Sequence, residues 1–223
     1  MLGKLSSKSV PICQVMIVDD HPAVREGLMM RINQQLDLNV CAEASGVQEA
    51  LQLLGQCQPD VAVIDISLKD GNGIDLIQRI KATKNSVRIL VWSMHSDNLY
   101  AERALRAGAL GYINKENTTG QLVEAIRSVS HDELCFSPET TQRILHGSLT
   151  NKGQKTLTER LSNRELEVFK MIGEGLKTSV IAHHLCISVH TVETHRQRIK
   201  TKLSLGSATE LTTRAARWIV EEG

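Results

Sequence analysis

The sequence predicts two units: an α/β unit built on a doubly wound, five-stranded parallel sheet, then a small all-α unit of four helices. Three observations predict this. From residue 12 to about 129, short β-rich runs alternate with longer helical patterns. The runs are almost continuously apolar, as strands covered on both faces must be. Beyond a polar stretch, residues 159–223 carry helical periodicity with no strand between.

The strand candidates are ICQVMIV (12–18), NVCAEA (39–44), VAVID (61–65), RILVWS (88–93) and the shorter ALGYIN (109–114). Helical patterns fill the gaps at 22–35, 47–57, 73–83, 98–107 and 118–129. Pro22 suits a first helical turn, where its missing N–H costs nothing. Residues 131–158 are polar and include Pro138, Gly147 and Gly153. They read as a linker with a short helix near 138–146. The boundaries are therefore 10–130, 131–158 and 159–223. In the last unit, Ser162 followed by Glu165 forms a capping-box pattern that opens a helix to about Ile172. A short helix fits 178–185. Ser188 caps a third, with Ile187 and Val192 placed as a hydrophobic staple, and Ser207 with Glu210 opens a last helix to about residue 220.

The 223 residues are 41% hydrophobic and 23% charged, the balance of a folded soluble chain, and only 3% aromatic, so the cores are aliphatic. The net charge of +1 hides a local bias: residues 188–203 hold four Lys/Arg against one acid. Cys13, Cys41, Cys57, Cys135 and Cys186 are scattered and form no CxxC pair, which argues against metal or disulfide use. MLGKLSSKSV lacks the apolar centre of a signal peptide, and no apolar run is long enough for a membrane span. The expectation is a cytoplasmic protein without a membrane partner.

In a doubly wound sheet, ligands bind at the carboxyl ends of the strands. Asp19 and Asp20 follow the first run, Asp65 and Ser93 end the third and fourth, and Lys115 follows the fifth. Clustered carboxylates repel one another unless a cation sits among them, and oxygen-only donors suit Mg²⁺ rather than zinc. A lysine beside them suits a phosphoryl group whose charge needs neutralising.

IVDDH (17–21), VIDISLKDGNGIDL (63–76), VWSMH (91–95) and GYINKE (111–116) together resemble the receiver domain of two-component response regulators, which has the CheY-like, flavodoxin-like fold. The resemblance covers about residues 12–130. It implies that Asp65 is a phosphoacceptor, and that Asp19, Asp20, Asp65 and the backbone carbonyl of Ser67 hold Mg²⁺. It also implies that Lys115 contacts the phosphoryl group and that Ser93 and Tyr112 form a switch pair. The donor would be a sensor histidine kinase or a phosphotransfer protein. Such a domain promotes its own phosphorylation and dephosphorylation but is not otherwise an enzyme. Lys69 stands where this family commonly has proline, and with Gly71 and Gly73 it suggests a mobile loop. His21 and His95 flank the site, and neither needs to be a metal ligand.

In the last unit, Val192, His195, Ile199 and Leu203 share one helical face, which packs inward. The opposite face carries Glu193, Thr194, Gln197 and Thr201, with Arg198 and Lys200 on its shoulders. Polar readers between cations are what a major-groove helix needs. Residues 161–203 resemble the LuxR-type helix-turn-helix, through Arg164-Glu165-Leu166-Glu167-Val168, Gly175 to Ala182 and Ile187 to His195. Joined to a receiver, this is the pattern of the NarL/FixJ family. The resemblance implies promoter DNA as a partner, with Lys177, Glu193, Thr194, Arg196, Gln197, Arg198, Lys200 and Thr201 as contacts. It implies a homodimer, when phosphorylated or on DNA, for which Leu211 and Ala215 of the last helix are candidate contacts, the alternative being that they only cover the unit's own core; RNA polymerase would be a further partner. Regulation would come from the unphosphorylated receiver covering the recognition helix. Glu193 is the odd residue: it either accepts from a cytosine amino group or pairs with Arg196. Two other readings stand beside this one. A Mg²⁺-dependent aspartyl-phosphate phosphotransferase or phosphatase would want a second acid two residues after its nucleophile, where this chain has Ser67. In the other, the helical bundle is a receiver-regulated protein-interaction module.

Overall fold

A computed structural model describes residues 11–83, 86–95, 97–116, 119–150 and 157–222. The first unit holds β1 (Cys13–Val18), α1 (Pro22–Asn33), β2 (Leu38–Ala44), α2 (Val47–Cys57) and β3 (Val61–Ile64). Next come a two-stranded hairpin of β4 (Ser67–Leu68) and β5 (Gly71–Asn72), then α3 (Gly73–Ala82), β6 (Arg88–Ser93), α4 (Asp97–Ala107), β7 (Gly111–Asn114) and α5 (Thr119–Ser130). The five main strands are all parallel, in the order β2-β1-β3-β6-β7.

Strand alternation divides the core in two. Met16, Val18, Ala62, Ile64, Ile89 and Val91 point to the face covered by α2, α3 and α4. Val15, Ile17, Val61, Val63, Leu90 and Trp92 point to the face covered by α1 and α5. The chain winds outward in both directions from β1 and β3. The switch point therefore falls between their carboxyl ends, which carry Asp19, Asp20 and Asp65.

The stretch read as a linker is more structured than its polarity suggested. Cys135 bridges alongside β7, donating to Leu110 O and accepting from Tyr112 N at 2.8 Å each. Helix α6 (Pro138–Thr150) is longer than predicted and packs on α4. Ser137 accepts from Thr140 N at its start, and Pro138 occupies its first position. Residues 151–156, the rest of the expected linker, lie outside the described residues, as does residue 10.

The second unit begins with an unpredicted single turn, α7 (Leu157–Arg160), then α8 (Asn163–Gly173), α9 (Thr178–His184), α10 (Val189–Leu203) and α11 (Ala208–Glu222). The start signals work as read. Ser162 and Glu165 close a complete capping box, and Ser188 accepts from Thr191 N. Around α8, Leu166, Phe169, Ile181, Val192, Ile199, Leu211 and Ala215 are all fully buried. The Phe169 and Trp218 rings lie 5.5 Å apart. Among the described residues, no helix is long and apolar enough to cross a membrane.

Candidate functional site

β1 and β3 end side by side, so Asp19, Asp20 and Asp65 converge. Their carboxylate oxygens and a ring nitrogen of His21 all lie within 4.8 Å of one another. Lys115, delivered by the end of β7, reaches across. Its Nζ donates to Asp19 Oδ2 at 2.5 Å and to Asp65 Oδ2 at 2.6 Å. Burial pushes the Asp65 carboxyl above the usual aspartate value, and the neighbouring Asp19 charge adds to this against the pull of Lys115. For Lys115, burial opposes the charge, but the two carboxylates more than offset it and hold the ammonium above its ordinary value. Asp20 Oδ1 is buried and has no hydrogen bond. His21 Nδ1 lies 2.7 Å away without hydrogen-bonding geometry. A buried carboxylate oxygen without a donor, next to two other carboxylates, fits a hard divalent cation such as Mg²⁺.

Ser93, at the end of β6, is buried near Asp65, where its hydroxyl works against the upward shift of the carboxyl, and its Oγ accepts from His95 N at 3.4 Å. Tyr112 is buried on the adjacent strand, its hydroxyl donating to His95 O at 2.9 Å. Sequence reasoning left His95 at the margin; the structure makes it a junction. Its Nε2 lies 2.9 Å from Ser67 Oγ, and its ring stacks on Tyr100 with centroids 4.5 Å apart. Burial, helped by Lys170 and Lys115, lowers its pKa to about 4, so the ring is neutral near pH 7.

The loop after Asp65, expected to be mobile, has a defined course. Residues 67–72 form the β4–β5 hairpin. Asp70 accepts from Val47 N at 2.8 Å and Gln48 N at 3.1 Å, capping α2 from a distance. Lys69 Nζ lies 3.5 Å from Asp20 O. The glycines are there for room: a Cβ on Gly73 would stand 2.0 Å from Asp65 O, and one on Gly71 would stand 2.8 Å from Val47 Cγ2. Asn72 accepts from Ile74 N to cap α3, and its Nδ2 donates to Glu167 Oε1 of α8 at 2.7 Å. No sequence spacing could have announced that last bond, since its partners are 95 residues apart.

On α10 the predicted faces hold. Val192 and Ile199 are fully buried, while His195 and Leu203 are partly buried. His195 Nδ1 is buried without a hydrogen-bond partner. Glu193, Gln197, Arg198 and Thr201 are exposed, and Thr194 and Lys200 are half-buried. Thr194 and Thr201 donate their hydroxyls to His190 O and Gln197 O. Lys177 is exposed just before α9. Glu193 is engaged locally, accepting from Thr178 Oγ1 at 3.1 Å and lying 3.5 Å from Arg196 Nε.

Two expectations are corrected. Leu211 and Ala215 are fully buried against α8, so they cannot also face a second copy. The approach is so close that a Cβ on Gly173 would stand 2.6 Å from Ala215 O. Nor does the first unit cover the recognition helix: the exposed face of α10 remains open, and the units meet through α8 instead. The α10 face is polar and has little apolar area to bury, whereas α8 offers Asn163 and Glu167 beside apolar side chains.

The response regulator receiver domain model matches residues 15–127, and that of the bacterial regulatory proteins of the luxR family matches residues 159–215. The oxygen regulatory protein NreC of Staphylococcus carnosus (strain TM300) is 36% identical over 204 residues, covering 89% of this chain and 94% of the relative. Among solved structures, a LuxR-family two-component response regulator from Aurantimonas sp. SI85-9A1 is 34% identical with a TM-score of 0.57. The match covers 62% of this chain and 99% of that one. RcsB from Salmonella enterica serovar Typhimurium, bound to promoter P1flhDC in the presence of the phosphomimetic BeF3-, is 25% identical with a TM-score of 0.59. That match covers 92% of this chain and 98% of the other.

Proposed function

Because this chain belongs to the NarL/FixJ family of two-component response regulators, a receiver joined to a LuxR-type DNA-binding domain, we propose that phosphorylation of Asp65 controls promoter binding by α10. The observation that carries the reading is Lys115 Nζ spanning Asp19 and Asp65 at the switch point of the sheet. Asp65 Oδ attacks the phosphorus of a phosphohistidine on a sensor kinase or phosphotransfer protein, and the imidazole leaves. Lys115 already sits where an incoming phosphoryl oxygen needs a positive charge, and it exchanges a carboxylate for that oxygen as the bond forms. Ser93 Oγ is in place to follow the phosphoryl group, and Tyr112 on the neighbouring strand reports the shift. Asp19, Asp20, Asp65 and the Ser67 carbonyl would hold Mg²⁺, which when bound neutralises the charge gathered at the site. The chain performs this step on itself and turns over no separate substrate.

In the second domain, Gln197, Thr194, Thr201 and Glu193 face the groove. Arg198, Lys200, Lys177 and Arg196 meet the phosphates flanking it. Two copies would read paired half-sites about one helical turn apart. The working boundaries are 10–130 for the receiver, 131–158 for the linker and 159–223 for the DNA-binding domain. The setting is the cytoplasm, with RNA polymerase as a further partner. The test is incorporation of a hydroxylamine-labile phosphoryl group from acetyl phosphate with Mg²⁺. It should disappear in Asp65→Ala, and phosphorylated protein should give a stronger genomic footprint. Equal incorporation by Asp65→Ala would overturn the assignment.

A further inference from the structure

We propose that Thr178 and Arg196 hold one oxygen of Glu193 so that its other oxygen reads the amino group of a cytosine in each DNA half-site. The proposal rests on α10 being the DNA-reading helix and names the base that this residue selects.

The arrangement starts from the packing of α9 on α10. Ile181 of α9 and Val192 of α10 are fully buried in one apolar cluster. Ser188 accepts from Thr191 N at 3.0 Å and fixes where α10 begins. Thr178, the first residue of α9, is thereby brought against the second turn of α10. Its Oγ1 donates to Glu193 Oε1 at 3.1 Å, and Arg196 Nε lies 3.5 Å from the same oxygen. The Arg196 side chain is only 16% exposed, so the domain holds it beside the carboxylate. Both partners take Oε1. Among the described residues Oε2 has none, and the Glu193 side chain is 54% exposed on the open face of α10. A local pair and a base contact therefore do not compete, because each uses its own oxygen.

The neighbours of Glu193 narrow what is left to read. Thr194 and Thr201 spend their hydroxyls on His190 O and Gln197 O, so they turn methyl groups to the groove. Gln197 both donates and accepts, which suits several bases. A carboxylate only accepts, and the base donors in the major groove are the amino groups of cytosine and adenine. Adenine N6 lies between two acceptors, its own N7 and O4 of the paired thymine, and both repel a carboxylate. Cytosine N4 has an acceptor on one side only, O6 of the paired guanine, and a C–H on the other. Guanine and thymine themselves present only acceptors on that edge. Cytosine is therefore the base that Oε2 can meet at least cost. Glutamate has three side-chain torsions to fix on binding. Thr178 and Arg196 fix them before DNA arrives, so less ordering opposes the contact. Thr178 is a positioning residue here: it touches no base and acts through Glu193.

The experiment is selection of bound sequences from a randomised duplex library by the full chain, with and without acetyl phosphate and Mg²⁺. Wild type should enrich a half-site holding a C·G pair whose preference Glu193→Ala abolishes while the neighbouring preferences persist. Thr178→Val should weaken that one preference about threefold. Thr178→Ser, which keeps the hydroxyl, should retain it. The enriched duplex is then made with 2-pyrimidinone in place of that cytosine, which removes the amino group alone. Wild type should lose about tenfold in affinity and Glu193→Ala nothing. If wild type enriches no sequence under either condition, the DNA-reading role of α10 falls and takes this proposal with it. If a sequence is enriched but the position that answers to Glu193→Ala is not cytosine, the base assignment is wrong while DNA reading stands. Equal binding of the 2-pyrimidinone duplex by wild type has the same meaning. A folded Thr178→Val protein with the wild-type preference overturns the positioning role. Should Thr178→Val lose its helical signal, Thr178→Ala carries the same prediction.

Discussion

Replacing Gly73 with alanine should be among the most damaging single-methyl changes in the receiver. The new Cβ would stand 2.0 Å from Asp65 O and 2.9 Å from both Asp65 C and Ile66 Cα. All three are backbone atoms, which cannot rotate away as a side-chain tip can, so the start of α3 must separate from the end of β3. Overpacking costs about 1–3 kcal/mol where neighbours can relax, and a contact this short against backbone puts Gly73→Ala at about 3 kcal/mol or above. For a chain of this size that is a fall of roughly 6–12 °C in the receiver's Tm. Two other glycines calibrate the scale. A Cβ on Gly71 meets Val47 Cγ2 at 2.8 Å, and that side chain can turn, so about 1 kcal/mol is expected. Gly27, within α1, meets nothing within 4 Å, so Gly27→Ala should stabilise by about 0.5–1 kcal/mol through helix propensity. Urea unfolding followed by circular dichroism gives the three values. A Gly73→Ala protein within about 0.5 kcal/mol of wild type would refute the argument that this glycine is fixed by its approach to Asp65. So would an order other than Gly27, Gly71, Gly73 in rising cost.

Leu211→Ala should cost about 2–5 kcal/mol, because Leu211 is a fully buried side chain of the α8–α11 core. The loss should be independent of protein concentration, and a concentration-dependent loss would return Leu211 to a dimer interface. Glu193→Lys should raise affinity for a random-sequence duplex a few-fold and steepen the salt dependence by about one counterion, since it turns a repelling charge into an attracting one. Fluorescence anisotropy at two salt concentrations measures both, and no change in either would place Glu193 away from DNA. For Glu165, burial raises the pKa, but Lys202 and the capping box outweigh it, so the carboxyl sits below its unfolded value of 4.5. A depressed carboxyl stabilises the fold above the unfolded pKa, and that stability is lost as pH falls through the folded one. Glu165→Gln should therefore flatten the decline of the DNA-binding domain's stability below about pH 4.5, read by acid titration of its helical signal.

Much of the candidate site was legible from residue order because a doubly wound sheet brings its strand ends together. Asp19, Asp65, Ser93 and Lys115 needed only the right element boundaries to meet. The faces of α10 were legible for a similar reason, since a 15-residue helix sorts its own side chains by angle. Errors arose where a residue's role depends on what lies across a gap. Gly71 and Gly73 looked like hinges by type, and proved to be clearances set by Val47 and Asp65. Leu211 and Ala215 looked available on an amphipathic helix, and the side they occupy is the one α8 fills. Glu193, with its carboxylate between Thr178 and Arg196, shows both cases in one residue. The pairing with Arg196 is one turn away along the helix and could be read in advance. The bond from Thr178 exists only because α9 and α10 cross there.

The sequence by itself determined the two units, the sheet that gathers the acids, and the face α10 turns to solvent. These follow from hydrophobic periodicity and capping, which act over a few residues. Only the tertiary structure decided that the loop after Asp65 is pinned, that α11's apolar side is spent on α8, and that the two domains meet at Asn72 and Glu167 with α10 left open. Those outcomes depend on which surfaces exclude water together across the chain, and local pattern carries no record of the partner.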